Sequence, residues 1–71
     1  MSGKENLFDV LMAEIRRVRE EVMPLYVEIG RAGAIAVALM KLSLEKADTA
    51  VAEQDVVKML VAYGDLKEIS E

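Results

Sequence analysis

A periodic row of large apolar residues in the first half of the chain limits its fold more than any other feature. The row advances in alternating steps of three and four residues over three heptads. Its members are Phe8, Leu11, Ile15, Val18, Val22, Leu25 and Ile29. This spacing places the row on one side of an α-helix and is typical of coiled-coil-like contacts. We therefore expect a helix from about residue 6 to 29 whose apolar row forms the interface with a second copy.

Pro24 lies inside this expected helix, where it removes a backbone donor and crowds the carbonyl group of Glu20. The helix is therefore expected to bend near Met23. A split into two helices at Pro24 is the alternative, because a proline in the first turn of a helix costs little free energy. Gly30 is expected to end the helix.

A second helix is expected from Ala32 to about Ala52. It begins with nine uncharged residues, 32–40, which indicate burial on every side. Two apolar stripes follow its helical period, and we expect both to be covered. The first stripe contains Ile35, Leu39 and Leu42, and the second contains Val37, Met40, Leu44, Ala47 and Val51.

A third helix is expected after Asp55, which is a suitable N-cap. One face of it carries apolar residues at helical spacing, namely Val56, Met59, Tyr63 and Leu66. The short connection over residues 52–55 predicts that the second and third helices are antiparallel. The sequence therefore predicts an all-α fold of three helices: a long bent first helix, a buried second helix and an antiparallel third helix.

The length of 71 residues limits the chain to one domain, residues 1–71, in which 1–5 and 69–71 are expected to fray. A core of this size contributes only about 3–5 kcal/mol, so small domains usually need a disulfide, a metal or a partner chain. The chain has no cysteine, which excludes a disulfide. It also has no histidine, which disfavours a structural metal site. Since 54% of the residues are hydrophobic, we expect a helical-bundle homodimer.

The sequence offers few groups for catalysis. It lacks a histidine base and a cysteine nucleophile, and Ser43 and Thr49 have no base at a suitable spacing. The row of Glu14, Glu21 and Glu28 is typical of the charged positions beside a heptad seam, and the Glu-x-x-His motif of di-metal bundles is missing. We therefore expect a non-enzyme with no catalytic residue, no cofactor and no metal.

The run Ile29-Gly30-Arg31-Ala32-Gly33 resembles the I-G-x-x-G loop of KH domains, which binds single-stranded RNA. The resemblance covers five residues, and a KH domain also contains strands, whereas the pattern on both sides of this run is helical. We interpret Gly30 and Gly33 as a helix stop followed by a close helix contact.

Two other functions remain as alternatives. Arg16, Arg17 and Arg19 form a basic cluster that a dimer axis would duplicate in a nucleic-acid-binding regulator. Neighbouring glutamates nearly cancel this charge, and a net charge of -4 repels phosphate, so we expect no nucleic-acid partner. The run Leu42-Ser43-Leu44-Glu45 resembles the phosphopantetheine site of acyl carrier proteins. Because Leu42 stands where those proteins have an aspartate, an acidic carrier-like module is the weaker alternative.

The leading hypothesis is a small non-enzymatic protein–protein interaction or regulatory module that acts as a homodimer. A further protein partner is left open. The longest uncharged runs, 22–27 and 32–40, are far shorter than the about 18 residues of a membrane-spanning helix. Since we also find no signal-peptide pattern, we expect a cytoplasmic protein with no membrane segment.

Overall fold

The computed structural model describes residues 6–69, and every regular element within them is helical. Three segments follow one another without interruption and together form what we call the rod: α1 (Leu7–Arg17), the π-helical segment π1 (Val18–Val22) and α2 (Met23–Glu28). Two longer helices come after the rod. The all-α fold with three helices is therefore confirmed.

Pro24 is accommodated by π1 and not by a break in the chain. The backbone N–H of Met23 donates to the carbonyl group of Val18, five residues earlier, as in a π turn. Pro24 then occupies the first turn of α2, where its missing donor costs little. The rod is thus continuous, as predicted. Pro24 nevertheless lies in the first turn of a separate α-helical segment, which agrees with the alternative of two helices.

The π turn also changes which residues of the rod face the core. It contains one residue more than an α turn, so the core-facing position after Val22 moves from Leu25 to Tyr26. Tyr26 packs against the core, whereas Leu25 and Ile29 are 45% and 56% exposed. The predicted row is therefore a buried stripe from Leu11 to Val22, whereas Phe8 before it and Leu25 and Ile29 after it are exposed.

α3 (Arg31–Glu53) and α4 (Val56–Glu68) form a hairpin and pack against each other. Gln54 ends α3 in the left-handed conformation, with a φ of 55°. The side chain of Asp55 caps α4 by accepting a hydrogen bond from the backbone N–H of Lys58 at 3.0 Å. The short turn, the Asp55 cap and the antiparallel arrangement agree with the prediction.

The rod lies on one side of this hairpin, with α1 against α4 and α2 against α3. The core fills the space between them, and no polar or charged side chain of residues 6–69 is buried there. The rod contributes Leu11, Ile15, Val18 and Val22. The hairpin contributes Met40, Leu44, Ala47, Ala50, Met59, Ala62 and Leu66.

The two predicted stripes of α3 have different surroundings in the single chain. The stripe around Met40, Leu44 and Ala47 belongs to the core. The stripe of Ile35 and Leu39 is exposed, because one rod covers only one side of the hairpin. The expected burial of residues 32–40 on every side is therefore wrong for the single chain, in which only Gly33 and Met40 of this run are buried.

The two glycines between α2 and α3 have separate roles. Gly30 has a φ of 74°, which glycine adopts without strain, and no atom lies within 4 Å of where its Cβ would stand. Gly33 is buried, and a Cβ at this position would collide with the carbonyl oxygen of Tyr26. Gly33 therefore forms the close helix contact, and Gly30 makes the turn.

The C-terminal end is better ordered than expected at one residue. Ile69 packs against the core, and its carbonyl group accepts a hydrogen bond from Arg17 at 2.8 Å. The predicted fraying thus does not include Ile69. The other residues of that prediction, 1–5 and 70–71, lie outside the described residues.

Candidate interaction surface

The side of the hairpin that faces away from the rod carries large apolar side chains. We call this surface the outer face, and its members are between 49% and 76% exposed. They are Ile35, Leu39 and Leu42 of α3 and Val57 and Val61 of α4. On each helix the members are separated by three or four residues, so each helix presents them as one stripe.

A groove of about 420 Å³ runs between α3 and α4 on the outer face. Its apolar lining comes from Leu42, Val57, Val61 and Ala62. The remaining lining residues are polar or charged, namely Glu45, Lys46, Thr49, Lys58 and Asp65. An apolar centre with a polar surround is the usual composition of a protein–protein contact surface.

The charges around the groove balance each other, with two lysines against two carboxylates. Lys58 also binds a carboxylate outside the lining, since its Nζ donates to Oε1 of Glu53 at 2.9 Å. This hydrogen bond and the negative charge of Glu53 raise the pKa of Lys58 above its usual range. Lys58 therefore stays protonated at neutral pH, and the ion pair ties the end of α3 to the start of α4.

Most of the row that was predicted to pair two copies lies in the core of the single chain. Its four middle members, Leu11, Ile15, Val18 and Val22, are buried in the core of the single chain, where they pack against the hairpin. They are not available to a second copy, and this corrects the predicted interface. Phe8, Leu25 and Ile29 are exposed near the two ends of the rod.

Arg17 of the basic cluster is engaged within the chain. Its guanidinium group forms a salt bridge with Glu14 at 3.0 Å. The same group donates to the carbonyl oxygens of Leu66 and Ile69 at 2.9 and 2.8 Å. These carbonyls lie at the C-terminal end of α4, where a positive charge is favourable. Arg17 thus holds the end of α4 against α1.

Arg19 is engaged as well, since it pairs with Asp48 of α3 at 3.1 Å. Arg16 is exposed. Two of the three arginines are therefore paired with groups inside the chain. This removes most of the charge that the nucleic-acid-binding alternative requires.

Ser43 lies well inside α3 and is half-buried, beside a shallow cavity that Tyr26 and Met40 also line. It is not at the start of a helix, which is where the carrier-protein resemblance would place it. Among residues 6–69, no three acidic side chains come together in a way that could hold a metal ion.

The sequence signal for the outer face is present in the stripe of Ile35, Leu39 and Leu42. Sequence reasoning missed Val57 and Val61, because the predicted apolar face of the third helix accounts for Met59 and not for them. A count of apolar residues on both sides of that helix would have found them.

Comparisons with protein-family models, curated proteins and solved structures found no match to the chain. Within the described part of the chain, no helix combines the length and the apolar character needed to cross a membrane.

Proposed function

We propose that the chain is a small non-enzymatic protein–protein interaction module that acts as a homodimer in the cytoplasm. The outer face carries the proposal, because it leaves five large apolar side chains in water on one side of the hairpin. A contiguous apolar surface with a polar surround marks an interaction site in a soluble protein. Contact with another protein surface removes these side chains from water.

The free energy available from this face is of the size that association needs. Full burial of one Val, Leu or Ile side chain contributes about 1.5–3 kcal/mol. With five half-exposed to largely exposed side chains in each of two copies, the gross gain is roughly 9–19 kcal/mol. The loss of translational and rotational freedom costs about 4–15 kcal/mol. The gross gain and this cost are thus of the same order.

The chemistry of the groove supports a binding role and not a catalytic one. Thr49 is the hydroxyl residue of the lining, and the chain has no histidine that could serve as its base. Lys58 is no candidate for a base at neutral pH, because Glu53 raises its pKa.

Absolute mass in solution tests the proposal. Light scattering on a sizing column over a tenfold dilution series is expected to give twice the chain mass of 7.9 kDa. The apolar dye ANS reports in parallel whether apolar surface remains exposed. A monomer that binds ANS would contradict the homodimer but retain an interaction surface. A monomer without ANS binding would contradict the proposed function as a whole.

A further inference from the structure

We propose that two copies pair through the outer face, so that the hairpin of one copy packs against the hairpin of the other. The inference rests on the proposed function. It adds to that function the surface through which the chain binds, and it identifies the partner as a second copy of this chain. In the resulting dimer the two hairpins form a central layer, and the two rods lie outside it.

The pattern on α3 is the first argument for this arrangement. The helix has two apolar stripes, and the rod covers only the stripe around Met40 and Leu44. The uncovered stripe of Ile35, Leu39 and Leu42 has the spacing that packs into the grooves of another helix. A copy of the same surface supplies helices with matching ridges. Pairing about a twofold axis then buries α3 on both sides.

The balance of charge favours a second copy over other partners. The whole chain has a net charge of -4, so two copies repel each other over most of their surface. The groove of the outer face is less acidic, because Lys46 and Lys58 lie beside Glu45 and Asp65 in its lining, and Lys58 also neutralises Glu53. A twofold interface brings the same surface of both copies together, and a surface with both signs offers opposite charges to itself.

The extent of the outer face is sufficient for a stable dimer. With 23 and 13 residues at about 1.5 Å per residue, α3 and α4 are about 35 Å and 20 Å long. For a helix width of about 10 Å, the two helices together project over roughly 550 Å². The accessible area of a ridged surface exceeds its projection and so approaches the about 800 Å² that each partner buries in a standard interface.

A pair of matched variants tests the surface. Val61 lies on the outer face and Val27 lies on α2, and the two side chains are 60% and 56% exposed. We expect Val61→Glu to weaken dimerisation at least 100-fold, because it places a carboxylate in the centre of the apolar contact. Val27→Glu is expected to leave the dimer unchanged. Light scattering gives the mass of each variant, and circular dichroism shows that it is folded.

A second variant keeps the test decisive if Val61→Glu does not fold. Val57 is also on the outer face, in the first turn of α4, where a negative charge suits the helix dipole. We expect Val57→Glu to be folded and monomeric, whatever the fate of Val61→Glu.

The remaining outcomes separate this inference from the proposed function. If the wild-type chain is a dimer and both outer-face variants are also folded dimers, another surface pairs the copies, and only the inference fails. If the wild-type chain is a monomer that binds ANS, this inference and the homodimer of the proposed function both fail, and only the role as an interaction module is retained. A wild-type monomer that does not bind ANS overturns both.

Discussion

At the scale of single residues, the distance between α2 and α3 depends on the missing side chain of Gly33. The Cβ of any other residue would meet the backbone of Tyr26, and a backbone carbonyl cannot move aside as a flexible side chain can. We expect Gly33→Ala to lower the free energy of unfolding by about 1–3 kcal/mol, the usual cost of overpacking. Urea denaturation measures this change.

Gly64 provides the control for that substitution. It lies inside α4 with nothing within 4 Å of the position of a Cβ. Gly64→Ala is therefore expected to stabilise the protein by about 0.5–1 kcal/mol, because alanine loses less backbone entropy in a helix. If both substitutions had the same sign, the close approach at Gly33 would not limit the packing of α2 on α3.

At the scale of elements, Arg17 joins the first helix of the rod to the last turn of α4. Arg17→Met keeps the alkyl part of the side chain and removes the donors to Leu66 and Ile69. We expect a loss of about 1–3 kcal/mol in stability, since hydrogen bonds to charged groups contribute this much. Hydrogen exchange is expected to become faster at the C-terminal end of α4.

Arg16→Met is the matched control on the neighbouring, exposed residue. Its effect on stability is expected to stay within about 0.5 kcal/mol, as for most surface substitutions. Equal effects of the two variants would show that the contacts of Arg17 at the end of α4 do not stabilise the fold.

Some elements of the fold are specified by residues that are close together in the sequence, and these could be predicted. The cap at Asp55 and the antiparallel hairpin depend on residues within a few positions, and the pattern predicts them. For Pro24 the pattern left two outcomes open, and the structure combines the continuous rod of one with the helix start of the other. Tyr26 replaces Leu25 in the core because π1 adds a residue to one turn, and a regular heptad contains no sign of this.

The residues near the apolar row do not specify which helix packs against it. A spacing of three and four residues predicts that a helix packs on the row, but it is the same whether that helix belongs to a second copy or to the same chain. A hairpin tethered to the rod has a far higher effective concentration than a separate molecule. The rod therefore packs on α3 and α4, and the surplus of apolar residues moves to the outer face, where the sequence revealed only the stripe of α3.

At the scale of the whole molecule, the distribution of charge predicts how salt affects the proposed dimer. Each copy has a net charge of -4, while the groove between α3 and α4 is lined by two lysines and two carboxylates. Salt screens the repulsion between two acidic copies, and a contact that is mainly apolar loses little from screening. We expect the dimer to become a few-fold tighter when salt rises from roughly 0.05 to 0.5 M, as measured by sedimentation equilibrium.

Lys46→Glu provides the test of the charge balance that this prediction assumes. The substitution leaves three carboxylates against one lysine in the groove of each copy. The variant is expected to dimerise more weakly than the wild-type chain at low salt and to approach it at high salt, because the added repulsion is screened. A wild-type dimer that weakens as salt rises would instead indicate pairing between basic and acidic surfaces. The exposed Arg16 of the rod would then be the first residue to substitute.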